Sequence, residues 1–277
     1  MPPLAIALAL TSALIHASWN AVLKRGSDRL TDTFLVGIGG MALGLIAIAF
    51  LGLPPAAAWP FLIVSAGLHT LYWFTLMKGY DAGDLSHVYT LARGSAPLLV
   101  AMGAALVAHE IPGGVEMAGI ALISVGVLCV GFSPRAPLRA TLWALAMGAC
   151  IASYSLVDAL GARVAGSAAL FISWNCVMMS GPLIAFALLR RGPAPLMRAA
   201  RRDPWRGIGV GMISMVGYGI VLWAQTFAPI AQVTALRETS VVFGALIAWV
   251  FMREAVGARR WIGALLAAGG AALIAFG

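Results

Sequence analysis

Residues 93–126 recur without a gap at 237–270: Arg93, Ala104, Glu110, Gly113, Gly119 and Gly126 return 144 positions later as Arg237, Ala248, Glu254, Gly257, Gly263 and Gly270. The chain therefore reads as two copies of one unit, residues 1–133 and 134–277. Each copy of the recurring stretch is a pair of long apolar segments, and five such segments lead from one copy to its equivalent. If the segments cross a membrane, an odd number of crossings turns the second copy upside down. Inverted duplication of that kind predicts a substrate site between the halves, near the bilayer midplane.

Composition meets the condition. Hydrophobic residues make up 61% of the chain and charged ones 10%, against roughly 25% charged in soluble domains. A span needs about 20 mainly apolar residues, and ten segments fit: 3–23, 33–52, 60–77, 85–108, 113–132, 139–160, 167–189, 207–227, 230–251 and 257–276. The expected fold class is an all-α integral membrane protein with ten transmembrane helices in two inverted five-helix repeats. Connections are short, and the longest, 190–206, is an arginine-rich stretch with Pro193, Pro195 and Pro204, expected to be a loop. The first span has no basic residue before it and Lys24 and Arg25 after it, which reads as an uncleaved first helix with its N-terminus outside. Cys129, Cys150 and Cys176 fall inside spans without CxxC spacing, so neither a disulfide framework nor a metal site is expected.

A net charge of +8 raises the question of nucleic acid, and its distribution answers it. Fifteen basic residues, from Lys24 and Lys78 to Arg259 and Arg260, fall in loops after odd-numbered spans, and the opposite side holds Arg163 alone. This is the asymmetry of a chain whose basic loops face the cytoplasm and the anionic lipid surface. Both termini are then expected on the periplasmic side of a bacterial inner membrane. The partners implied are the lipid bilayer and a small molecule, with no nucleic acid and no cofactor.

Ten spans in inverted halves resemble the drug/metabolite transporter superfamily. The EamA-type pattern, an acidic residue in a short turn before a Gly-rich last helix, matches Leu98 to Glu110 followed by Gly119 and Gly126. It matches again from Leu236 to Glu254, followed by Gly263, Gly269 and Gly270. The segments from His16 to Gly26 and from Ala152 to Arg163 are similar to the first helix of each repeat. The resemblance covers nearly the whole chain and implies export of small metabolites, with bacterial amino-acid exporters, aromatic and hydrophobic ones included, nearest in pattern. The superfamily also moves sugars, nucleotide sugars, phosphorylated compounds and drugs. Its small four-helix multidrug members couple to protons through a glutamate in the first helix, and spans 1 and 6 contain none.

A charge at the bilayer centre costs at least about 2.5 kcal/mol, so intramembrane charges face a cavity or a partner. Arg93 lies about 13 Å deep in span 4 at 1.5 Å per residue and is the first candidate for a substrate-binding cation. Tyr89 and Ser86 share its face. The plain alternative is that Arg93 ties span 4 to a neighbour. Arg237, its counterpart, is expected nearer the outer surface, and the adjacent Glu238 points about 100° away, so each needs a separate partner, in a gate or a structural pair. His16 and Asn20 form a polar stripe on span 1 with Trp19 beside it, and Lys24 is expected to snorkel to the headgroups. Tyr154 and Asp158 repeat the spacing on span 6, where Asp158 is expected near the outer end and open to water. His69, Tyr72 and Trp73 line one stripe of span 3, and His87 begins span 4; these histidines make proton linkage conceivable. Trp174, Tyr218 and Trp223 complete the candidate aromatic walls. Arg237, Glu238, Asp158 and His87 are the candidate gating or ion-pair residues.

The expectation is a secondary transporter rather than an enzyme, working by alternating access and exporting amino acids or another small metabolite or drug. A single chain suffices, and a dimer is compatible. An integral membrane enzyme needs clustered carboxylates, a nucleophile beside a histidine, or a metal-ligand set, none of which stands out here. A non-transporting scaffold is the other alternative.

Overall fold

The computed structural model describes residues 1–23, 28–253 and 255–277, with only the backbone at 29, 85 and 206. Lys24, Arg25 and Glu254 lie outside the described residues, as do the side chains of Arg29 and Arg206. Among the described residues there are ten helices long and apolar enough to span a membrane, and no strand. Five come from each half: α1 Pro3–Leu23, α2 Arg29–Leu51, α3 Trp59–Ala82, α4 Leu85–Gly103 and α5 Gly114–Gly131, then α6 Leu138–Val164, α7 Ala168–Arg191, a short α8 Pro193–Arg202, α9 Val210–Phe227, the pair α10 Ile230–Arg237 and α11 Ser240–Val250, and α12 Ala258–Phe276. This is a multi-pass membrane protein.

The inversion is visible where the last helices of the two repeats meet. Sequence equivalence pairs Gly119 with Gly263 and Gly126 with Gly270, yet contact pairs them crosswise. A methyl group on Gly119 would stand 2.8 Å from the Gly270 carbonyl oxygen, and one on Gly126 2.6 Å from that of Gly263. Equivalent helices touching in reversed order run antiparallel about a twofold, as an inverted duplication requires. The absent side chains let the backbones meet, which is how helices associate when lipid and protein are equally apolar. Gly44 likewise brings α2 against the Ser173 carbonyl of α7, and Gly211 brings α9 against the Val36 carbonyl of α2.

Two elements depart from the sequence expectation. The stretch 190–206 is not simply a loop: α8 occupies most of it, with Pro193 in its first turn, where a missing N–H costs nothing. Leu196 is fully buried against Phe34, Leu35 and Ala187, while Arg198, Arg201 and Arg202 stay on the solvent side. This amphipathic helix lies at the arginine-rich face.

The second departure is in the ninth span, which is two helices rather than one. The N–H of Glu238 bonds Ala235 and that of Thr239 bonds Leu236, each three residues back, and the Thr239 hydroxyl also donates to the Leu236 carbonyl at 2.6 Å. The tightened turn ends α10, and α11 restarts at Ser240. The equivalent place in α4 stays helical past Arg93 and Gly94. Two sequence-related helices thus differ partway along their spans, one continuous and one broken.

Candidate functional site

Arg93 is buried, and its Nη2 lies 2.8 Å from Glu238 Oε2, with side-chain exposures of 8% and 3%. The contact is an ion pair without ideal hydrogen-bond alignment. It joins α4 of the first repeat to the break in the second. Asp84 starts α4 by accepting the Ser86 N–H at 2.6 Å, and this cap sets the depth at which Arg93 emerges.

The same pair corrects the placement of Arg237. Because Glu238, its neighbour, touches Arg93, Arg237 stands at the level of Arg93 and not near the outer surface. Glu238 has turned to Arg93, and among the described residues Arg237 makes no ion pair. Its guanidinium lies 5.2 Å from the centre of the Tyr218 ring, and its Nε is buried without a partner. One of two homologous arginines is neutralised, and the other is held over an aromatic face.

Around these charges the bundle gathers side chains from six helices. His16 of α1 lies within electrostatic reach of both arginines. Tyr72 of α3, Tyr89 of α4 and Tyr154 of α6 lie around Arg93. Tyr72 meets Tyr154 edge-on at 5.9 Å, and Trp73 meets Tyr72 at 5.6 Å. His16, Trp19, Tyr72, Tyr89 and Arg237 keep partial exposure and form the candidate chamber. Trp19 stands edge-on to His16 at 5.0 Å. Asn20 is less available than its stripe implied, because its amide donates to the His16 carbonyl at 2.7 Å.

Asp158 is the largest correction. Expected near water, it is 0% exposed. Its Oδ2 accepts from the Tyr218 hydroxyl at 2.5 Å and from Asn175 at 3.1 Å, with His69 Nε2 at 3.9 Å. Ser65 donates to Asn175 at 3.0 Å, and Tyr154 stacks on His69 at 4.2 Å. Ser65 and Asn175 were missed in the sequence. Ser65 precedes His69 by one helical turn and was legible on that stripe, whereas Asn175 had no local signal.

Three candidates lie elsewhere. His87 accepts from the Ser133 N–H at 3.1 Å and reaches Thr141 at 3.1 Å, so it pins the link between repeats instead of gating the chamber. Trp174 donates to the Gly52 carbonyl at 2.9 Å and packs edge-on against Trp59, anchoring a helix end. Trp223 is 48% exposed. It lines a groove of about 790 Å³ between α2, α6, α7 and α9, with a mostly apolar wall that includes Arg163.

The two ends of the bundle differ. On the arginine-poor side Arg163 pairs with Glu110 at 2.7 Å and donates to the carbonyls of Gln225 at 2.8 Å and Ala228 at 3.1 Å, while Glu110 accepts the Ile230 N–H at 2.7 Å. This clasp closes the first repeat onto the start of span 9. On the arginine-rich side a cavity of about 570 Å³ separates Ser18, Ala21 and Val22 of α1 from Ile247 of α11 and the following Phe251 and Met252.

A solved crystal structure described only as that of a protein superposes with a TM-score of 0.76 at 20% identity, over 98% of this chain and 96% of the other, and shows the fold alone. A search of curated proteins gave no match. The EamA-like transporter family model matches twice, over residues 3–132 and 138–276, one match per five-helix half. With both five-helix halves matched, the chain belongs to the EamA-like transporter family, membrane carriers of small molecules.

Proposed function

We propose that the chain carries amino acids across a bacterial inner membrane by alternating access, loading them from the arginine-rich side and releasing them on the other. One observation carries the reading. Arg237 is a midplane cation whose buried Nε has no partner, in a chamber where Arg93 is already neutralised by Glu238. An arginine held on a tyrosine face, with the nearby Glu238 engaged by Arg93, suits a carboxylate, which its planar fork engages in bidentate fashion. The role first assigned to Arg93 thus passes to Arg237. Tyr72, Tyr89, Tyr154 and Trp19 offer aromatic faces for an apolar side chain or an ammonium group.

The asymmetry of the ends supports the direction. The Glu110–Arg163 clasp closes one side, while the cavity by Ser18 and Ile247 opens the other. Half-buried His16 and Trp19 continue up α1 from that cavity, so the resting state receives ligand from the basic side. The positive-inside rule makes that side cytoplasmic.

Counterflow of radiolabelled leucine, phenylalanine and tryptophan in proteoliposomes tests the reading. At least one is exchanged by the native protein, and Arg237→Ala lowers the exchange about 100-fold, as loss of a charge-assisted carboxylate contact worth about 3 kcal/mol predicts. Arg237→Lys restores only part of it, because an ammonium cannot bind in bidentate fashion. Undiminished counterflow in Arg237→Ala refutes the assignment.

A further inference from the structure

We propose that His69 and Asp158 form a proton-binding site that loads and unloads one proton during each transport cycle. The argument is geometric. His69 Nδ1 lies 3.0 Å from the Ser65 carbonyl oxygen, which only accepts, and 3.2 Å from the Ser65 hydroxyl, whose hydrogen goes to Asn175; hydrogen on Nδ1 suits both contacts, and a neutral ring then leaves Nε2 bare. That bare nitrogen faces Asp158 Oδ2 at 3.9 Å. A lone pair and a carboxylate facing each other inside a membrane are two acceptors without a donor. One additional proton, on Nε2 or on the carboxyl group, resolves the conflict, and its departure leaves the pair with a single negative charge. Asp158 Oδ1, buried and without a partner, is a second place for the same proton.

The surroundings hold that charge without cancelling it. Asp158 receives Tyr218 from α9 and Asn175 from α7, both neutral donors. Cys176 of α7 and Tyr154 of α6 are further titratable groups within its reach. Tyr154 of its own helix covers His69 and feels Asp158, both arginines and Glu238. From α4 and α10 the charges facing the pair are thus Arg93, Arg237 and Glu238, beyond the tyrosine layer.

Tyr218 connects the two sites. Its hydroxyl donates to Asp158 while its ring lies beneath Arg237. A carboxylate that draws Arg237 off the ring disturbs the hydrogen bond on Asp158, and a proton gained at Asp158 changes what holds Tyr218 under Arg237. Substrate and proton therefore influence each other across one side chain. The acid concerned is no first-helix glutamate, and its histidine partner comes from the other repeat.

This rests on the chamber being a transport site, so the test has two arms. In the first, without any amino acid, nitrogen NMR of ¹⁵N-histidine-labelled protein, whose four histidines are resolved with His69→Gln, follows the ring of His69 between about pH 5 and pH 9. The ring signals change across that range, and Asp158→Asn alters that change. A ring that stays constant overturns the proposal. In the second arm, an internal pH dye reports proton movement in proteoliposomes while radiolabelled leucine, phenylalanine and tryptophan report counterflow. Net substrate flow moves protons in the native protein. In Asp158→Asn and His69→Gln the number of protons moved per substrate carried falls at least about tenfold, because an amide cannot take up the proton. Counterflow without proton movement in the native protein overturns the coupling and leaves amino-acid transport standing. A titrating His69 with no counterflow of any amino acid overturns the substrate reading and leaves the proton site standing.

Discussion

Replacing Glu238 by Gln removes the anion that neutralises Arg93 and leaves the shape nearly unchanged. At 2.8 Å and an effective dielectric constant of about 20, the two charges attract by about 6 kcal/mol. Most of that attraction offsets the desolvation of two groups brought into an apolar interior, so the intact pair contributes little net stability. Removing one partner differs, because the other charge then stays buried and alone. The cost is about 3 to 5 kcal/mol. Arg93→Met with Glu238→Gln relieves it, since neither charge remains. A double-mutant cycle on purified protein, with unfolding followed in mixed micelles of rising denaturing-detergent fraction, measures the coupling. Each single variant is destabilised by more than about 2 kcal/mol, and the double variant is more stable than either. Additive single effects below about 0.5 kcal/mol would show that Arg93 is hydrated or paired elsewhere, and would refute the midplane ion pair.

Three further outcomes follow from the packing. Gly126→Val drives a side chain into the Gly263 carbonyl, only 2.6 Å from a built methyl group. It lowers stability by about 3 kcal/mol or more, beyond ordinary overpacking, whereas the same change at Gly114, with open space around it, is mild; thermal denaturation compares them. Arg163→Ala releases the Glu110 clasp, and a cysteine placed at Ala228 then reacts faster with a membrane-impermeant thiol reagent from the arginine-poor side. Stability falls by only about 1 kcal/mol, because partly exposed pairs are screened. Single cysteines at Pro2 and Met197 label from opposite sides of the membrane in cells, Met197 from the cytoplasm; labelling from one side contradicts the inverted topology.

Arg93 was recognisable as a functional candidate because depth along a helix follows from residue count, and a charge that deep demands an explanation. Its partner was not, since Glu238 lies 145 positions away and reaches Arg93 only through the break in span 9. Thr239, which helps make that break, occurs in many unbroken helices. Asp158 was misjudged for a related reason. It lies near the end of a 27-residue helix, longer than a perpendicular span needs, and its end is covered by α3, α7 and α9. His87, Trp174 and Trp223 find their partners away from the two arginines, against Ser133 and Thr141, against Gly52 and Trp59, and on the outer groove. The proline-rich stretch before span 8 looked like a loop, yet proline in a first turn is compatible with the α8 that forms.

Ten apolar runs and an internal copy displaced by five of them determined the number of helices and the inversion, and arginines in alternate loops set the expected sidedness. Each follows from a one-dimensional count: the length needed to cross hydrocarbon, the parity of the crossings and the placement of charge. Which face of each helix turns inward was decided only in three dimensions. A helix that is apolar all round has no amphipathic signal, because lipid and protein interior are equally greasy. Its rotation is set by contacts between distant residues, such as Gly126 on Gly263 and Arg93 on Glu238, and those rotations bring Arg237, Tyr218, Asp158 and His69 together.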